Sequence, residues 1–226
     1  MGAERYYTLM SSLPHLPKLD QVQQLPISWI QLQKRKTLLE ENERELVEEI
    51  QKLMAWFYHP STTKSRQIVQ LYHEVSQKCA AYPVSRKLIA DIFQQRTIVS
   101  AFRMKALHRN RAKLESDWGV GEDVRMIENA WDAEDFNLST KYPWVKTFKR
   151  HFDNDNPLEM TKFLMERTYG LAQKVIFAHP FTFDAYIAYL TQWALLQKWL
   201  TYDARKAAFR FENLIQKETH AYTKEL

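Results

Sequence analysis

Phe181-Thr182-Phe183-Asp184-Ala185-Tyr186-Ile187-Ala188-Tyr189-Leu190-Thr191-Gln192-Trp193-Ala194-Leu195-Leu196-Gln197-Lys198-Trp199-Leu200 decides the fold. Tyr186, Tyr189, Leu190, Trp193, Leu196 and Leu200 recur at three- and four-residue steps, which is one face of an α-helix. Phe183, Ile187 and Ala194 widen that face, so that Asp184, Thr191 and Lys198 keep only a narrow polar strip. A helix this apolar must be buried, in lipid or in a protein core. Asp184, Lys198, Gln192 and Gln197 lie inside twenty residues, and charge in hydrocarbon is expensive, so the reading is a central core helix. Thr201-Tyr202-Asp203 is expected to end it, with a last helix from Ala204 to about His220.

Working outward, the composition agrees. The chain has 226 residues, 45% of them hydrophobic and 26% charged, the balance of a soluble globular protein large enough to bury a core. Four glycines, Gly2, Gly119, Gly121 and Gly170, leave little material for phosphate-cradling loops, dinucleotide-binding turns or serial hairpins. The fold class is all-α, a bundle of eight to nine helices with a short irregular N-terminal arm. It is read as a single helical domain over 1–226, which the Gly119–Gly121 break offers to divide into sub-lobes 1–117 and 122–226. That break is the clearest internal hinge.

Helix signals order the rest. Arg5 to Met10, with adjacent tyrosines and Thr8, reads as a short extended piece, and Pro14 and Pro17 keep the arm irregular as far as Pro26. Ser28 is the N-cap of a short helix holding Trp29, Leu32 and Lys36. Thr37 and Glu40 have capping-box spacing, so a second helix restarts there and runs past Leu46, Val47, Ile50, Leu53 and Phe57. Its glutamates, Glu40 to Glu49, read as a solvated face near a helix N-terminus. His59-Pro60 breaks it, and another helix covers about Thr63 to Ala80. Pro83-Val84-Ser85 opens the longest helix, about Ser85 to Leu114, whose end is basic. Glu122 to Trp131 and Tyr142 to Phe152 read as short helices. Asn156-Pro157-Leu158-Glu159 starts a longer one that reaches His179-Pro180.

The chemistry-bearing residues are sparse. Cys79, the single cysteine, excludes an internal disulfide and multi-cysteine metal sites, and reads as a small buried residue. None of the seven histidines makes a His-x-x-x-His or Glu-x-x-His pattern; His59 and His179 each precede a proline at a helix end, where a cation suits the carbonyls. Asp153-Asn154-Asp155 lacks the glycine and terminal glutamate of a calcium loop and reads as a turn and cap. No Gly-x-Ser-x-Gly elbow occurs. No catalytic residue, cofactor site or metal site is assigned, and the chain is not expected to be an enzyme or to take a small-molecule substrate. The first ten residues lack a secretion signal and Tyr6 stands where a myristoylation motif needs Ser or Thr.

The net charge of +5 favours acidic partners, and the densest basic run is Arg103, Lys105, His108, Arg109, Arg111 and Lys113. Cations near helix-terminal carbonyls account for it simply; a helical adaptor binding nucleic acid or an acidic protein patch through 103–113 is the alternative. Acidic Glu115, Asp117, Glu122 and Asp123 flank the run and no nucleic-acid-binding motif accompanies it, so nucleic acid is not the expected partner.

Tyr6-Tyr7-Thr8-Leu9-Met10-Ser11-Ser12-Leu13-Pro14 resembles the opening of a bacterial family encoded with V-type (vacuolar/archaeal-type) ATPases. That family is related to the C-type coupling component of these motors, called d-type in eukaryotes. Pro26-Ile27-Ser28 with Leu32, Arg35 and Leu38 is similar to the family's first helix. Trp118-Gly119, Asp184-Ala185-Tyr186-Ile187-Ala188-Tyr189-Leu190 and Trp193 are similar to its late helices, and Trp199-Leu200 with Asp203, Lys206, Phe211 and Leu214 to its ending. The chain departs in having Lys198 before Trp199, and Ala207 or Ala208 where glycine is usual. It is also much shorter than a full C-type component.

The resemblance implies a non-catalytic component between the central stalk and the membrane rotor ring of a proton- or sodium-transporting rotary motor. Its partners would be stalk and ring proteins, and its place cytoplasmic, peripheral at the inner face of the cell membrane through the complex, with no direct membrane insertion. Arg103, Arg109 and Arg111 are then the expected basic contact to acidic stalk or ring loops, while Tyr6 and Tyr7 are expected to pack on the helical body.

Overall fold

The apolar run that begins at Phe183 forms the longest helix among the described residues, and the larger of two cores is built around it. The computed structural model describes residues 2–55, 65–107 and 117–222, with the backbone course alone at 2–3, at 65 and from 203 onward. Within these residues the architecture is all-α: α1 (Gly2–Ser11), α2 (Trp29–Lys36), α3 (Glu41–Ala55), α4 (Ser65–Lys78), a 3-10 turn (Cys79–Ala81), α5 (Pro83–Ala106), α6 (Val124–Asn129), α7 (Trp144–Asp153), α8 (Pro157–Ala178) and α9 (Phe183–Tyr222). The bundle of eight to nine helices is as expected.

Several boundaries differ for physical reasons. Residues 2–11 are helical rather than extended: Tyr6, Leu9, Met10 and Leu13 make a three- and four-residue stripe that buries against the core, and that packing overrides the strand preference of Tyr-Tyr-Thr. The irregular stretch is confined to residues between α1 and α2, where Leu16, Leu19 and Ile27 are buried. Thr37 is the C-cap of α2, its hydroxyl donating to the Lys34 carbonyl, so it caps nothing downstream. The reach-back that starts α3 comes from Glu43, which accepts from the Glu40 backbone N–H at 3.0 Å. Helix α9 runs unbroken through Thr201-Tyr202-Asp203, where the Thr201 hydroxyl donates one turn back to the Gln197 carbonyl. It, not α5, is the longest helix.

Other signals hold. Ser28 caps α2 in a reciprocal box with Gln31. Asn156 accepts from the Glu159 N–H at the start of α8, with Pro157 in the first turn. The N-terminus of α5 receives no cap from its neighbours in sequence; the Asp184 carboxylate accepts from both the backbone N–H and the hydroxyl of Ser85 at 2.6 Å, 99 residues away.

Two apolar cores result. The first gathers α1 to α4, the N-terminal half of α5, and α8 and α9 around Phe93, Tyr186, Trp193 and Leu196. The second gathers the C-terminal half of α5 with residues 118–148 around Phe102, Phe136 and Phe148. Helices α5 and α8 contribute to both. The Trp118-Gly119-Val120-Gly121 break is laid down tightly on α5: the Thr97 hydroxyl accepts from the Val120 N–H and donates to its carbonyl, at 2.9 and 2.8 Å. Gly121 has φ +106, and a Cβ there would lie 1.8 Å from Gln94 Oε1. No helix among the described residues is long and apolar enough to cross a membrane.

Candidate functional site

The basic end of α5 is only partly described. Arg103 is exposed in the last turn, its carbonyl accepting from the Leu107 N–H. Arg109 and Arg111 lie outside the described residues. Lys105 is committed internally: its ammonium donates to the Asp132 and Ala133 carbonyls at 3.2 and 2.7 Å and sits over the Phe136 ring. Burial, and after it the charge of Arg103, destabilise the Arg96 cation two turns earlier on the same helix. Arg103 is therefore the described member of the run that remains at the surface.

The two tyrosines of the opening motif take different roles. Tyr6 donates to Glu43, which is only 2% exposed and also accepts from Arg5 and, at 3.1 Å, from the Tyr82 hydroxyl. Burial first, and the neighbouring carboxylate second, raise both tyrosine pKa values. Hydrogen bonding to Glu40 chiefly, with Tyr6 next, holds Arg5 firmly protonated. Glu43, expected on a solvated face, is thus the weld between α1, α3 and the turn before α5. Tyr7 stays at the surface, 60% exposed, and packs on the body only through its ring, 4.8 Å from that of Phe181. Phe181 itself holds a left-handed φ of 59° in the turn between α8 and α9.

The motif at the far end of the chain meets the first one. Tyr189 donates to the Pro14 carbonyl at 2.9 Å, and Trp193 Nε1 to the Ile27 carbonyl at 2.8 Å. Tyr169 on α8 donates to the Pro17 carbonyl at 3.0 Å. These bonds occupy carbonyls of an irregular segment that has no ladder of its own and is anchored by buried Leu16, Leu19 and Ile27, and each such bond contributes about 1 kcal/mol net.

Beside this junction α2, α3 and α9 enclose an open groove of about 700 Å³. Its floor is Ile187, Leu190 and Ala194; Val47, Ile50 and Met54 form one wall, and Trp29 the other. Trp29 is 42% exposed while its ring lies 5.6 Å from that of Trp193. A shallower depression at α7 mixes Glu134, Asp135 and Asp153 with Lys146, Lys149 and Arg150, and Lys149 pairs there with Asp153 and Glu134.

Groups with reactive side chains have structural surroundings. Cys79 is buried, and burial pushes its thiol up to about 11, so it packs as the small apolar residue expected. His179 is the exposed C-cap of α8, and His59 lies outside the described residues. Asp153 ends α7, and Asn154, its C-cap, begins the turn to α8 with Asp155. Among the described residues no three His, Cys, Asp or Glu side chains gather as a metal site. Sequence spacing missed Asp123, which is buried and accepts from Lys141 at 2.6 Å, Tyr142 at 2.5 Å and Gln94 at 2.8 Å. Its one sequence signal was an acidic residue beside a glycine break.

The described residues define an all-helical protein whose surface candidates are an exposed basic helix end and an apolar groove. Residues 32–221 match the model of a family described as protein of unknown function (DUF2764), and the chain belongs to that family. No curated protein and no solved structure matches the chain.

Proposed function

We propose that the protein is a non-catalytic, C/d-like component of a bacterial V-type rotary ATPase, coupling the central stalk to the membrane rotor ring during proton or sodium transport. One observation carries the reading: the stretches that resemble that family come from opposite ends of the chain yet form one physical unit. Tyr6 and Leu9 on α1, the Pro14 and Ile27 carbonyls, and Tyr189 and Trp193 on α9 are joined by burial and direct hydrogen bonds. A motif set that only shared helical periodicity has no reason to converge in this way. A coupling piece must also transmit torque without yielding, and long helices with few glycines bend little.

In this reading the protein sits at the inner face of the membrane through its complex, and Arg103, with Arg109 and Arg111, meets acidic loops of stalk or ring. The test is affinity purification of the tagged chain from membranes of its source, with mass spectrometry of what accompanies it. Stalk and ring proteins are the expected companions. Recovery of nucleic acid, released as salt rises, would replace this reading by the basic-helix adaptor. Arg103→Glu should lower recovery of the complex while leaving the melting temperature unchanged.

A further inference from the structure

The groove between α2, α3 and α9 has a specific occupant by its chemistry. Its walls are helices, whose backbone N–H and C=O groups are consumed within the helices, so an extended strand has no edge on which to add. Its lining is apolar along the floor, with side-chain amides of Gln33, Gln51 and Gln197 at the rim, and no convergent set of polar groups that would orient a small ligand. A trough bounded by helices with an aromatic at its lip takes the apolar face of another helix.

The rim charge selects that helix. Lys36 and Lys52 line the groove against one carboxylate, Glu48. Lys36 pairs with Glu48 at 2.7 Å, and that bond, with Lys52 contributing behind it, lowers the Glu48 pKa. Glu48 is thereby satisfied by Lys36, and the rim carries an excess cation at exposed Lys52. We propose that the groove binds an amphipathic partner helix whose apolar face is flanked by acidic side chains, Lys52 pairing with one of them and Trp29 closing over the apolar face. This site is separate from the basic end of α5 and holds whichever complex the protein serves.

Two fluorescein-labelled 16-residue helical peptides test it, sharing one leucine face and differing only in glutamate or lysine flanks, titrated into the full chain by fluorescence anisotropy. The glutamate peptide should bind about tenfold tighter than the lysine peptide, a difference of about 1.4 kcal/mol. Lys52→Glu, at an exposed position, should remove or invert that preference. Ala194→Trp should fill the floor and abolish binding of both peptides, with helicity and melting checked by circular dichroism. Failure of both peptides to bind, equal binding, or a preference untouched by Lys52→Glu would overturn the proposal. So would sedimentation of the chain as a dimer that the peptide dissociates, because a second copy would then be the occupant.

Discussion

The two cores of this protein hold themselves together in different ways. The first is broad and aliphatic, and its polar groups are tied across long sequence distances: Tyr189 to Pro14, Trp193 to Ile27, Ser85 to Asp184. The second is small and aromatic. Phe102 stands at its centre, with ring centroids 5.0, 5.3 and 5.9 Å from those of Phe136, Phe148 and Phe152, and Trp118 and Trp131 close one side edge to face. The first core therefore spreads its stabilisation over many modest contacts, whereas the second concentrates it on one ring. The difference predicts where single substitutions hurt.

Phe102→Ala should give the largest effect, about 4 kcal/mol, because a buried ring leaves a cavity its aromatic neighbours cannot fill. Urea unfolding should show the loss, and near-ultraviolet circular dichroism should show the Trp118 and Trp131 signals collapsing first. Phe93→Ala, the same deletion in the first core, should cost less, about 3 kcal/mol. Equal costs for the two would remove the distinction between a concentrated and a distributed core.

Glu43→Ala comes next, at about 2–3 kcal/mol, since Tyr6, Tyr82 and Arg5 all lose their shared acceptor in a buried place. Proteolysis should then release α1 before the rest of the chain. If α1 stays protected, its apolar stripe alone holds it. Gly121→Ala follows, at about 2 kcal/mol by thermal melting, because the new Cβ would meet Gln94 Oε1 at a φ that disfavours any side chain.

How much of this could be read in advance depends on the range of the interaction. Period and caps are local, so the α9 stripe, the Ser28 cap and the Asn156 start were legible as they stand. The roles of Glu43, Asp123 and Asp184 were not, because each carboxylate is given its partners by chain that arrives from elsewhere. Glu43 sits in a run of glutamates of which Glu41, Glu45 and Glu48 are indeed exposed. Only the arrival of Tyr6 and Tyr82 distinguishes it. Likewise Thr37 and Glu40 have the spacing of a capping box, but the side chain that reaches back belongs to Glu43. The strand-like Tyr6-Tyr7-Thr8 became helical for the same reason, since burial of Leu9 outweighs a local preference. The groove was invisible in sequence, being made by three helices that no local pattern brings together.

Acidity and alkalinity should separate the two cores more gently. Tyr72, Tyr82, Tyr169, Tyr186 and Tyr189 belong to or pack on the first core, and burial raises the pKa of each above 10. The unfolded chain then loses these protons first. Their contribution is full below pH 10 and is lost as pH rises through the raised folded values. In the second core burial pushes only Tyr142 up, to about 12. The opposite sign holds for Asp135, whose carboxylate accepts from the Asn137 and Ser139 N–H groups beside Phe136. Hydrogen bonding from Ser139 lowers its pKa, so its contribution is present above about 3.8 and fades as pH falls through the folded value. Alkali should loosen the first core first, followed by tyrosinate absorbance, and acid should disturb the loop around Phe136, followed by tryptophan fluorescence.

The smallest effect should be a gain. Gly170 sits in the interior of α8, and a Cβ built there meets nothing within 4 Å. Unlike Gly121, it has no positive φ and no close neighbour to justify its lack of a side chain. Gly170→Ala should therefore stabilise by about 0.8 kcal/mol through helix propensity alone. Because α8 contributes to both cores, that gain should appear as slower amide exchange on either side of residue 170, reaching Leu164 on the second core and Val175 on the first. Protection rising on the Val175 side alone would mean that α8 opens in two pieces, and the cores would then be separate units that share a helix only in sequence.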